Sequence, residues 1–96
     1  MLLLITYDVN TETPDGKRRL RRVAKKCVDY GQRVQNSVFE CSVDAALSVR
    51  FQAELLKLID PKKDSLRFYN LGNNYNNKII HYGAKKSYSP NDTFIV

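Results

Sequence analysis

Histidine occurs once in this 96-residue chain, at His81, so one chain cannot build a histidine triad, a paired-histidine ribonuclease site or a zinc site. Cysteine occurs twice, at Cys27 and Cys41, with neither CxxC nor Cys/His metal spacing. Each falls in phase with apolar neighbours, which predicts buried free thiols, because a free cysteine packs as a small hydrophobe. No apolar run approaches the ~20 residues of a membrane span, and the start, Met1-Leu2-Leu3-Leu4, has no basic n-region or small-residue cleavage site. The chain is therefore expected to be cytoplasmic and without membrane contact. Repeats, linkers and low-complexity stretches are also missing, which leaves one domain, assigned to residues 1–82, and a polar tail, 83–96.

What the sequence does have begins with Leu2-Leu3-Leu4-Ile5-Thr6-Tyr7-Asp8-Val9, a short apolar run that stops at turn residues and predicts a buried strand. Leu3, Ile5, Tyr7 and Val9 fall on one face, and Leu2, Leu4, Thr6 and Asp8 on the other. Both faces are largely apolar, so both need cover. Asp8 stands at the rim, where a carboxylate is costly unless it is paired or metal-bound.

Acid is absent from Lys17 to Lys26, which holds Lys17, Arg18, Arg19, Arg21, Arg22, Lys25 and Lys26. Without those seven the net charge of +6 becomes −1, so the basic character is one local patch. Thr13-Pro14 opens an amphipathic helix there, with Leu20, Val23, Ala24, Cys27 and Val28 on its apolar side and Gly31 just past its end. Like charges at i,i+4 on the exposed side each cost a few tenths of a kcal/mol. A face built against that cost points to an anion, and phosphates fit it best.

Gln32–Gln35 and Ser37–Val43 read as strands around an Asn36 turn. Asp44 caps a second helix through Leu47, Phe51, Leu55 and Leu58 that Pro61 ends, and Ser65–Leu71 and Lys78–Tyr82 read as further strands. The order is βαββαβ with an additional C-terminal strand, an α+β, ferredoxin-like arrangement with both helices on one sheet face. The Leu2, Leu4, Thr6 and Asp8 face is then bare. A two-fold homodimer would cover it and bring two copies of Asp8 together. Magnesium, which takes one or two carboxylates plus waters and phosphate oxygens, could be shared by that pair. Arg33 and the basic helix would neutralise phosphate charge, and no strong general base is visible. An RNA-recognition module on this fold is disfavoured, since its Lys/Arg-Gly-aromatic signature is missing.

Ile5-Thr6-Tyr7-Asp8-Val9, Arg19-Leu20-Arg21-Arg22-Val23-Ala24 and Gly31-Gln32-Arg33-Val34-Gln35-Asn36-Ser37-Val38-Phe39-Glu40 together resemble the CRISPR-associated protein 2 family. The resemblance implies a ferredoxin-like homodimer that works with the integrase, CRISPR-associated protein 1, in spacer acquisition. It implies a metal-dependent endonuclease acting on duplex DNA or RNA. Asp8 falls on the metal-binding aspartate, and Tyr7, Arg22, Arg33, Ser37 and Phe39 on its surroundings. Lys17, Arg18, Arg19, Arg22, Arg33 and Ser37 are the expected nucleic-acid contacts. A dimeric DNA-binding adaptor of the integrase, without catalysis, is the alternative.

Overall fold

The computed structural model of the chain describes residues 1–83. Strand β1, Leu2–Asp8, is followed by helix α1, Pro14–Tyr30, and the hairpin β2, Gln32–Gln35, and β3, Val38–Ser42. Helix α2, Ala45–Leu58, and strand β4, Ser65–Gly72, complete the βαββαβ order. The sheet is antiparallel in the order β2-β3-β1-β4, so the first strand is central and pairs on both sides. That position leaves β1 no free hydrogen-bonding edge.

Local chemistry sets the helix ends. The Thr13 hydroxyl accepts from the Gly16 N–H at 3.1 Å, with Pro14 in the first turn, where its missing N–H costs nothing. The Asp44 carboxylate accepts from the Leu47 N–H at 2.7 Å and starts α2. Gly31 ends α1, but in extended backbone with φ of −162° and not in the left-handed conformation common at helix ends. Its glycine answers a different need: a Cβ there would run into Cys41 Sγ and the Glu40 carbonyl.

Both helices cover one face of the sheet. Leu3, Ile5, Tyr7, Phe39 and Cys41 from the strands meet Val23 and Cys27 from α1 and Phe51 and Leu55 from α2. Each fully buried apolar side chain in this layer contributes about 1.5–3 kcal/mol. Tyr30 fixes the helix pair, its ring 4.4 Å from that of Phe51 and its hydroxyl donating to Glu54 at 3.0 Å.

The opposite face departs from expectation in two ways. Leu2 is fully buried, not bare, and Tyr75 is buried too. The additional strand over Lys78–Tyr82 is not formed in the single chain. The Lys78 N–H instead closes a 3-10 turn, Asn76–Lys78, onto the Tyr75 carbonyl at 2.9 Å, and residues 79–82 pair with no strand. Ile79, Ile80, His81 and Tyr82 share a cavity with Val34, Gln35 and Glu40, so the segment returns from the β4 side to β2 and β3. It covers part of the face without joining an edge, which leaves the side chains of Ile80 and Tyr82 exposed. The tail after Gly83, with its apolar end Thr93-Phe94-Ile95-Val96, lies outside the described residues.

Candidate functional site

Asp8 is the last residue of β1, opposite Ser65 of β4, and is exposed. Its face also carries Thr6, opposite Arg67. Thr6, Tyr7, Asp8, Ser65 and Arg67 line a cleft of about 320 Å³. The Thr6 and Ser65 hydroxyls, which share a face with the Asp8 carboxylate and the Arg67 guanidinium, suit a hard cation that keeps its waters and an anionic ligand beside it. Among the described residues no group of three or more histidine, cysteine or acidic side chains could hold a metal. Asp8 is the one carboxylate in the lining of this cleft.

Tyr7, Arg33, Phe39 and Ser37 gather elsewhere. Successive strand residues point to opposite faces, so Tyr7 turns inward where Asp8 turns out. The Tyr7 ring lies 6.2 Å from that of Phe39, its hydroxyl donates to the Asn36 carbonyl at 3.3 Å, and its backbone N–H donates to the Ser37 carbonyl at 3.2 Å. Arg33 is paired with Phe39 across β2 and β3, and its guanidinium stands 5.0 Å over the Phe39 ring. Burial pushes the Tyr7 hydroxyl above its ordinary range, with Cys27 adding to the rise and Arg33 opposing it. Tyr7 stays neutral, which suits an anchor better than a base. Burial likewise pushes the Cys27 and Cys41 thiols up to about 12, so neither supplies a nucleophile.

The basic helix divides once its partners are placed. Arg19 donates through Nε to Asp64 at 2.8 Å, and the Asp64 side chain is wholly buried. Asp64 also accepts from the backbone N–H of Asn10 at 3.0 Å and of Asp60 at 2.8 Å. Burial works to raise its pKa, yet the hydrogen bonds from Arg19, Asp60 and Asn10 outweigh it and hold Asp64 below the ordinary carboxylate value. Arg19, expected on the nucleic-acid face, is therefore committed to the knot that joins α1 to the segments after β1 and before β4. Lys26 pairs with Glu54 at 3.5 Å and Arg18 with Asp15 at 3.3 Å, the latter in the open. Lys17, Arg21 and Arg22 are exposed and form no ion pair with any described residue.

Reading residues alone does not find Arg67 or Asp64. Alternation along β4 puts Arg67 on a face, but only the β1–β4 register puts that face beside Asp8. Asp64 has no local mark that separates it from Asp60.

Residues 1–79 match the family described as CRISPR associated protein Cas2. The chain is 58% identical over 96 residues to the CRISPR-associated endoribonuclease Cas2 of Chlorobaculum tepidum, covering 100% of both chains. It is 58% identical over 95 residues to the CRISPR-associated endonuclease Cas2 of Halalkalibacterium halodurans, covering 99% of each. The crystal structure of Streptococcus pyogenes Cas2 is similar with a TM-score of 0.75 at 60% identity, covering 86% of this chain and 100% of that one.

Proposed function

This chain belongs to the CRISPR-associated Cas2 family, and from that premise we propose that it is a homodimeric, magnesium-dependent endonuclease with Asp8 as metal ligand. The observation that carries the reading is the exposed Asp8 carboxylate at the end of β1, in a cleft lined otherwise by Thr6, Tyr7, Ser65 and Arg67. A divalent cation bound there supplies polarisation of a phosphoryl oxygen and activation of water. The chain's own residues aim the ligand. Tyr7, clamped by Phe39, the Asn36 carbonyl and the Ser37 carbonyl, fixes the last turn of the pleat, so that Asp8 projects from a rigid strand. Arg33 belongs to this clamp through Phe39. A second copy of the chain, set against the Leu4, Thr6 and Tyr69 face, supplies the second carboxylate. The relatives' names divide between endoribonuclease and endonuclease, so RNA and duplex DNA are both substrates to test. The same membership supports a partnership with the CRISPR-associated protein 1 integrase.

The test is Asp8→Ala on both substrates with and without magnesium. Several kcal/mol of charge stabilisation are at stake, each ~1.36 kcal/mol being tenfold, so cleavage should fall at least about 100-fold. Melting temperature and duplex affinity should not change, because the Asp8 side chain is exposed and makes no hydrogen bond or ion pair with any described residue. Cleavage at the wild-type rate would remove the nuclease reading. A second reading, a non-catalytic DNA-binding adaptor of the integrase, is favoured by one observation. The free cations of α1 lie on the helix side of the sheet while Asp8 projects from the other, so binding does not require Asp8. An Asp8→Ala protein that loses cleavage yet still supports integration would assign the cellular role to the adaptor.

A further inference from the structure

We propose that Arg67, braced by Tyr69, is the phosphate-gripping residue of the Asp8 cleft, an inference that rests on the nuclease reading for its catalytic consequence but not for its binding one. Ser65, Arg67 and Tyr69 of β4 stand opposite Asp8, Thr6 and Leu4 of β1, so all six share one sheet face. Asp8 and Arg67 are diagonal neighbours, roughly 7–8 Å apart in such a ladder. They line the same cleft but form no ion pair. The cleft they line, about 320 Å³, is large enough for a phosphate group.

The guanidinium is also held ready. Its Nη1 donates to the Tyr69 hydroxyl at 3.1 Å, and its carbon lies 6.0 Å from the Tyr69 ring centroid. A neutral hydroxyl orients the group without cancelling its charge, and the remaining N–H donors stay open to a ligand. Arg18, Arg19, Lys25 and Lys26 each have an acidic partner, whereas Arg67 has none among the described residues. A planar fork fixed in advance loses little freedom on gripping a phosphate. The class of ligand is a phosphodiester oxygen of the nucleic-acid backbone, for which inorganic phosphate is the probe.

The experiment uses the full-chain protein as wild type, Arg67→Ala, Arg67→Lys and Asp8→Ala. Inorganic phosphate is titrated in metal-free buffer and followed by phosphorus NMR. Arg67→Ala should weaken binding about tenfold, a typical loss for one charge-assisted contact. Asp8→Ala should leave binding unchanged or tighter. With magnesium and substrate, Arg67→Ala should lower kcat about 100-fold, as for removal of one transition-state donor. KM should move little, because α1 dominates affinity for a long polyanion. Arg67→Lys should recover most phosphate binding but little of kcat, since the charge returns without the fork. Phosphate binding by Arg67→Ala at the wild-type level overturns the proposal, and so does conversion of that variant to a monomer, which would make Arg67 a subunit contact. Full cleavage by Asp8→Ala counts against the nuclease reading alone, and the phosphate titration then decides Arg67.

Discussion

At the scale of single residues, three segments meet on Asp64. The start of α1 through Arg19, the turn after β1 through Asn10 and the loop before β4 through Asp60 all donate to one buried carboxylate. An Asp64→Asn variant keeps the size but loses the charge that these donors answer, so its melting temperature at neutral pH should fall by about 5–15 °C. Asp64 ionises below its ordinary value of 3.8, so its stabilisation is complete above that pH and is lost as pH falls through the lower folded-state value. The gap between wild type and variant in thermal scans should therefore close below pH 3.8 and stay open above it. A gap that persists in strong acid would assign the loss to packing. Sequence distinguishes Asp8 because it ends an apolar strand. It cannot distinguish Arg19 from Arg18, since their difference lies in a carboxylate 45 residues away.

At the scale of elements, α1 is the part best read in advance. Its cap and unmixed charge follow from spacing, and Val23 and Cys27 are buried where the period puts them, whereas Val28, expected on the same stripe, is exposed. What spacing cannot give is which cations remain available, because Glu54 of α2 and Asp64 before β4 each take one. The proposed nucleic-acid face is accordingly narrower than the run of basic residues, with Lys17, Arg21 and Arg22 the members that have no acidic partner among the described residues. Replacing these three by Ala should flatten the dependence of log K on log salt by about 0.9 for each that contacts a phosphate of duplex DNA. The fit should come from titrations at several salt concentrations, and an unchanged slope would show that α1 faces away from the nucleic acid. The C-terminal strand misled for the opposite reason. Ile79-Ile80-His81-Tyr82 has strand composition, but a strand is made by an edge to pair with, and the segment lies against the face instead.

For the molecule as a whole, the homodimer proposed above would be built on the sheet face away from the helices. Leu4 and Thr6 are half-buried there, and Tyr69, Ile80 and Tyr82 are exposed. Light scattering on the eluting protein should return twice the 11.1 kDa chain mass. Leu4→Asp puts a charge in the middle of that face and should raise the dimer dissociation constant at least about 100-fold, since a buried leucine is lost and a carboxylate desolvated. The variant should keep its helical circular dichroism, because the core under α1 and α2 does not include Leu4. A dimer of undiminished strength would move the interface to another surface.

The central strand is also the first to be made. β1 needs β3 on one side and β4 on the other, and its pairing with β4 joins Leu2 to Gly72. At roughly 5–20 residues per second of synthesis, Leu2-Leu3-Leu4-Ile5 waits several seconds at least for its second neighbour. Until β3 is made this apolar stretch has two open hydrogen-bonding edges, and until β4 is made it keeps one. A nascent chain stalled before β4 therefore exposes an unpaired apolar strand edge, the kind of surface that recruits a second chain.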